Sequence, residues 1–207
     1  LFAKHGLPDV EVLKQASWGA TRDNLVLGSD RGGIDGAHIL SPMPYLMSTG
    51  AITGGAPTPM YILARLNTNG QGISVGNDLK AVKVGLNSAG ARAKFAQLKA
   101  SGNMAKVAMT FRGGTHDLWI RYWLAAGGID PDKDVSTIVV PPPQMVANMK
   151  VGNMDAFCVG EPWNEQLVNQ NIGFSACTTG EIWKKHPEKA LGMRADFVDK
   201  NPIATRA

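Results

Sequence analysis

Residues 108–128 read AMTFRGGTHDLWIRYWLAAGG, and the break in the middle of this stretch decides the fold. The apolar run Lys106–Phe111 has the composition of a short strand, bounded by Gly102 before it and by Gly113-Gly114 after it. From Asp117 onward the period changes. Trp119 and Trp123, and Ile120 and Leu124, recur four residues apart, and Asp117 and Arg121 are a candidate ion pair at the same spacing. Gly127-Gly128 stops the helix. Most of its sides are apolar, which predicts burial on most faces. A strand, a glycine turn and a helix start aim free backbone N–H groups at one spot, a place suited to an anion. His116 stands at its mouth, Thr115 is the expected N-cap, and Asp117 complements the helix dipole.

The same alternation of strand and helix runs along the whole chain and predicts an α/β protein with mainly parallel sheets. Residues 10–47 and 136–168 share one plan: strand, loop, helix, glycine, strand, and a proline turn into another helix. Val10–Gln15 is the first strand of one copy. Asp35-Gly36-Ala37 and Asp155-Ala156-Phe157 take equivalent places, and Pro141-Pro142-Pro143 is a rigid link into a helix. Two lobes built alike follow, residues 1–70 and 71–185, with 186–207 returning toward the first. In open sheets of this kind ligands bind beyond the carboxyl ends of the strands. That rule gathers the loops at Ser17-Trp18, Ser41-Pro42, Gly114–His116 and Gly160–Pro162 around an inter-lobe cleft.

Composition narrows the partners. The 207 residues are 44% hydrophobic and 18% charged, and no apolar run approaches the ~20 residues of a membrane span. A net charge of +4 is scattered rather than clustered, which favours small anions and gives no nucleic-acid footprint. His5, His38 and His186 show no metal-ligand spacing with one another or with Cys158 and Cys177, so neither a metal nor another cofactor is expected. The two cysteines fit a disulfide or two buried thiols. No activated nucleophile paired with an orienting base is visible, so the chain reads as a non-enzyme. The ends, LFAKHGL with Gly6 as a helix stop and DFVDKNPIATRA as the start of another helix, read as those of an internal segment.

With Trp18, His116 and CVGEPWN (158–164) in view, the chain resembles the solute-binding subunits of nitrate and bicarbonate ABC importers of the cyanobacterial type. VLKQASWGATRDNL, DGAHILSPMPYLM, GGTHDLWIRYWLAAGGI, VPPPQMVANMKV and HPEKALGMRADFVDKNP carry the likeness with it, over nearly the whole chain. The resemblance implies a two-lobed type II periplasmic-binding-protein fold, lipid-anchored at the periplasmic face of the cytoplasmic membrane by a segment outside this stretch. It implies delivery of nitrate or nitrite to an ABC permease and its ATPase. It also implies a ligand set: Trp18 in ASWG, Gln71 in NGQGISV, His116 in GGTHD, Gly160 in CVGEP and Lys189 in HPEKA. Bicarbonate binders of the family carry a carboxylate where Lys189 stands and use it with a metal ion, so the lysine points to nitrate.

Each of these residues also has an ordinary reading. Trp18 fits a core aromatic, His116 a satisfied structural histidine and Lys189 a solvated surface charge. Gly70 and Gly72 beside Gln71 predict close backbone approach. Glu161 is an acceptor able to orient a donor. Three rival functions stay open: a bicarbonate receptor, a cytoplasmic nitrate sensor on the same fold, and a regulatory domain fused to a transporter ATPase.

Overall fold

The computed structural model describes residues 2–207. Along the chain the elements are α1 (Trp18–Leu27), β1 (Gly36–Leu40), α2 (Met43–Ser48), β2 (Met60–Thr68), β3 (Gln71–Gly76) and α3 (Arg92–Ala100). There follow β4 (Lys106–Met109), α4 (Thr115–Ala126), β5 (Ser136–Val139), α5 (Met145–Lys150), β6 (Ala156–Gly160) and α6 (Trp163–Asn169). The chain closes with β7 (Gly173–Thr178), α7 (Thr179–Ile182), β8 (Pro187–Arg194), α8 (Ala195–Lys200) and α9 (Pro202–Arg206). They fall into two compact units. The first takes residues up to Leu66 together with Lys189–Ala207, and the second is Asn67–Glu188. The chain therefore changes unit twice, within β2 and within β8.

In the second unit five strands lie in the order β5-β4-β6-β3-β7. The sheet is mixed, not mainly parallel. β4 pairs in parallel with β5 and β6, joined by the helical crossovers that strand–helix alternation announces. β3 comes from no such crossover. Asn69 and Gly70, at φ 59° and 83°, turn the chain into it, and it slots between β6 and β7 antiparallel to both. In the first unit the order is β1-β8-β2, with β1 and β8 antiparallel.

Side-chain alternation divides the core of the second unit into two layers. Val107, Ala156 and Cys158 face one way, onto Phe95 of α3 and Ile120 and Trp123 of α4. Ala108, Phe157 and Val159 face the other, onto Met145 and Met149 of α5 and Leu167 of α6. The helix α4 is less enclosed than its composition suggests. Leu118 and Tyr122 are 51% and 56% exposed and form an outward stripe, while Ile120, Trp123 and Leu124 are buried. The Asp117–Arg121 pair forms as expected, at 2.7 Å.

The two-copy plan holds for helix, strand and helix: α1–β1–α2 in one unit and α5–β6–α6 in the other. The matched aspartates do matched work, since Asp35 Oδ1 accepts the N–H of Ser29 at 3.0 Å and Asp155 Oδ2 that of Lys106 at 2.8 Å. The leading strand of the first copy is absent. Val10–Gln15 is irregular, with Val12 79% exposed, because no neighbouring strand among the described residues offers it a ladder. The expected helix at the start lies partly outside the described residues; Phe2–His5 form one 3-10 turn that ends at Gly6. At the far end the single expected helix is two short ones, α8 and α9, parted at Asn201-Pro202.

Cys158 and Cys177 are both buried thiols. Ile73 pairs with Cys158 on one side and Cys177 on the other, so the cysteines are two strands apart. That spacing is about 9.5 Å, beyond the ~7 Å limit between Cα atoms for a disulfide. Burial, with Glu181 adding to it, pushes the Cys177 thiol up to about 12, so it stays protonated and unreactive. The unfolding midpoint is therefore expected to be the same with and without reductant, and Cys177 to be alkylated only after denaturation. Ile73→Ala, which opens a cavity at the centre of β3, should cost about 2–5 kcal/mol in a urea titration.

Candidate functional site

Each unit carries its own set of the expected ligand residues. In the first, Trp18 opens α1. Ser17 caps that helix, its Oγ accepting the N–H of Ala20 at 3.1 Å, and so fixes where the indole starts. Lys189 lies on β8 opposite Leu40 of β1. Its ammonium stands 5.3 Å from the centroid of the Trp18 ring. That is within cation–π range. His38 of β1 meets the same indole edge-on at 6.3 Å. Both Trp18 and Lys189 are half-buried, so the indole is not a core aromatic and the lysine is not a solvated surface charge. An ammonium held over an aromatic plane offers positive charge beside a flat, weakly polar surface.

In the second unit, Gln71, Thr115, His116 and Glu188 form a buried polar cluster. Gln71 Nε2 donates to Glu188 Oε1 at 2.5 Å and to Thr115 Oγ1 at 2.8 Å. Thr115 in turn directs its hydroxyl to Glu188 Oε1 at 3.5 Å. His116 Nε2 lies 3.9 Å from the same carboxylate oxygen, and Nδ1 bonds Thr110 Oγ1 at 2.7 Å. Asn67 Nδ2 donates to the other oxygen, Glu188 Oε2, at 3.3 Å. Gly160, at the end of β6, pairs with Gln71 across the ladder. The structure thus brings Gln71, His116 and Gly160 together, and Trp18 with Lys189.

Local sequence explains the placement. The N-cap of α4 is Gly114, not Thr115. Asp117 Oδ2 takes the N–H of Gly113 at 2.8 Å and holds the turn, which releases the Thr115 hydroxyl to Gln71 and Glu188. Gly72 bears out the close approach, since a Cβ there would come 3.0 Å from the side chain of Asn164. Glu161 orients no donor of the cluster. Its Oε2 accepts the N–H of Glu165 at 3.2 Å, in the first turn of α6. His186 is structural, buried with Nε2 2.8 Å from Thr179 Oγ1 and its ring against Trp119.

Glu188 is the residue that sequence reasoning passed over. Its signal was the alternation of β8, in which Glu188 and Ala190 are buried and Lys189 and Leu191 are not. Glu, Lys, Ala, Leu and Met favour helix, and that preference hides the strand.

A family model described as NMT1-like matches residues 1–207. The chain is 68% identical over 206 residues to the nitrate/nitrite binding protein NrtA of Synechocystis sp., covering all of this chain and 45% of that protein. It is 50% identical over 207 residues to the bicarbonate-binding protein CmpA of Synechococcus elongatus, covering 46% of it. The crystal structure of the periplasmic nitrate-binding protein NrtA from Synechocystis superposes with a TM-score of 0.94 at 67% identity, over 99% of this chain and 52% of that one. The chain thus spans about half the length of the curated relatives it matches.

The bond between Thr110 and His116 sets an expected outcome for stability. Thr110→Val keeps the shape but leaves a buried imidazole nitrogen without its hydroxyl partner. The cost should be about 1–3 kcal/mol in chemical denaturation.

Proposed function

We propose that this chain, which belongs to the NMT1-like family, binds nitrate or nitrite as the solute-binding component of an ABC importer and delivers it to the permease. The observation that carries this reading is the Lys189 ammonium held over the Trp18 ring. Nitrate is a planar anion with weak acceptor oxygens and no proton to give. It calls for positive charge, donors at its rim and flat surface against its faces. Trp18 supplies an indole N–H and a face, Lys189 the charge, His116 a ring N–H, Gly160 a backbone N–H, and Gln71 a side-chain amide once one of its N–H groups leaves Glu188 or Thr115. The likeness to a nitrate/nitrite binding protein supports the same reading.

The role is one of capture and release, with no covalent chemistry, and the work of transport comes from an ATPase subunit. NrtA and CmpA are by name binding proteins, which supports a non-enzyme. No helix among the described residues is long and apolar enough to cross a membrane. A place at the periplasmic face of the membrane, held there by a lipid anchor, completes the reading.

A bicarbonate receptor is the second reading, favoured by the likeness to a bicarbonate-binding protein. Charge separates the two. A lysine beside the site repels the cation that a carboxylate would recruit. Calorimetric titration of the complete protein with nitrate, nitrite and bicarbonate, with and without calcium, tests the choice. Nitrate or nitrite heat without a calcium requirement is expected, and calcium-dependent bicarbonate binding with no response to nitrate would overturn it. Lys189→Glu should abolish nitrate binding. His116→Ala removes a hydrogen bond to a charged ligand worth about 1.5–3 kcal/mol. That corresponds to roughly one to two decades of affinity.

A further inference from the structure

We propose that Glu188 is an internal competitor for the anion: its carboxylate holds the Gln71 amide in the free protein, and nitrate binds by taking an N–H of that amide away. The inference rests on the nitrate reading above and concerns how tightly the same site keeps its ion. Gln71 opens β3, is buried, and stands opposite Gly160 of β6.

The amide nitrogen of a glutamine carries two hydrogens, and both of those on Gln71 are engaged. Nε2 donates to Glu188 Oε1 at 2.5 Å and to Thr115 Oγ1 at 2.8 Å. The other end of the amide, Oε1, is buried and makes no hydrogen bond among the described residues. Nitrate cannot use that end, because it has acceptors only and no proton to give. Nor can the amide turn round to offer its nitrogen elsewhere, since Oε1 would then lie against the carboxylate, acceptor against acceptor. A nitrate oxygen reaches a Gln71 N–H only by displacing an acceptor that already holds it.

Of the two acceptors the carboxylate is the stronger, since hydrogen bonds to an ionised oxygen are roughly twice as strong as neutral ones. It is also the one that resembles the ion: a carboxylate and a nitrate are both planar, delocalised anions that present oxygens to the same N–H. The Thr115 hydroxyl reinforces the hold. It accepts from Gln71 and directs its own hydrogen to the same Glu188 oxygen at 3.5 Å, so three side chains close a ring. The ring keeps a buried amide paired while the ion is away, and Glu188 takes the N–H back as the ion leaves. A donor left unpaired in the free protein would instead cost free energy that ion binding recovers, and the ion would be held more tightly. The contact with Glu188 thus lowers affinity and favours release, which suits a carrier that has to give up its cargo.

The test is calorimetric titration of the complete protein with sodium nitrate, with urea unfolding of the anion-free form beside it. Glu188→Gln puts an amide oxygen, a weaker acceptor, in place of the carboxylate. Thr115→Val keeps the shape and the net charge but removes the hydroxyl that accepts from Gln71. Each should lower the unfolding midpoint of the anion-free protein and yet tighten nitrate binding, by up to roughly one to two decades. A merely structural role would lower stability and affinity together. If Glu188→Gln does not fold, Thr115→Val decides the matter. Tighter binding in Glu188→Gln alone would trace the effect to the lost charge and overturn competition for the amide. Affinity that is unchanged or weaker in both variants, with the wild type binding nitrate, overturns the competition and leaves the nitrate reading standing. No nitrate heat from the wild type or from either variant overturns the nitrate reading and the competition with it.

Discussion

Gln71 opens a strand, Thr115 and His116 open a helix more than forty positions later in the chain, and what gathers them is the buried carboxylate of Glu188. An ion taken out of water costs several kcal/mol unless hydrogen bonds and charge replace its hydration. That cost makes the cluster a mutual constraint: each donor is fixed because Glu188 needs it, and Glu188 is tolerated because the donors are there. The order of the sheet follows the same demand. β3 has to lie beside β6 for Gln71 to stand opposite Gly160, and it does so by running against its neighbours.

The first unit meets the opposite problem with a different device. Its positive charge is laid over an aromatic ring, where the indole quadrupole offsets part of the lost hydration. Ser17 fixes the start of α1 and the β1–β8 ladder fixes Lys189, so both partners of the contact sit on regular structure. The second unit thus holds a buried carboxylate among hydrogen-bond donors, and the first a half-buried cation over an aromatic ring.

Much of this was legible in the amino-acid sequence, and the failures have physical causes. The strand–glycine–helix break at Gly113-Gly114, the Asp117–Arg121 pair and the strand holding Cys158 could be read because local periodicity and turn chemistry decide them. The direction of β3 could not, since a two-residue turn at Asn69-Gly70 sets it and nothing local says which strands it enters between. Val10–Gln15 has the alternation of a strand, but a strand exists only where a neighbour supplies hydrogen bonds. Thr115 looked like a cap because Thr precedes helices, yet the backbone placed Gly114 there and left the hydroxyl for the cluster. Trp18, Gln71, His116, Gly160 and Lys189 came from family resemblance, whereas Glu188 needed the three-dimensional pairing of β8 to be noticed at all.

The change of unit falls between Glu188 and Lys189, adjacent residues of one strand with opposite charges. Successive side chains of a strand point to opposite faces, so loss or gain of one residue just before Glu188 would exchange their destinations. Loss of one residue would bring Lys189 into the place of Glu188, and the polar cluster would receive a cation among donors that cannot accept from it. When distant relatives are aligned, a gap of one position here would misassign Lys189, on which the proposed ion preference rests.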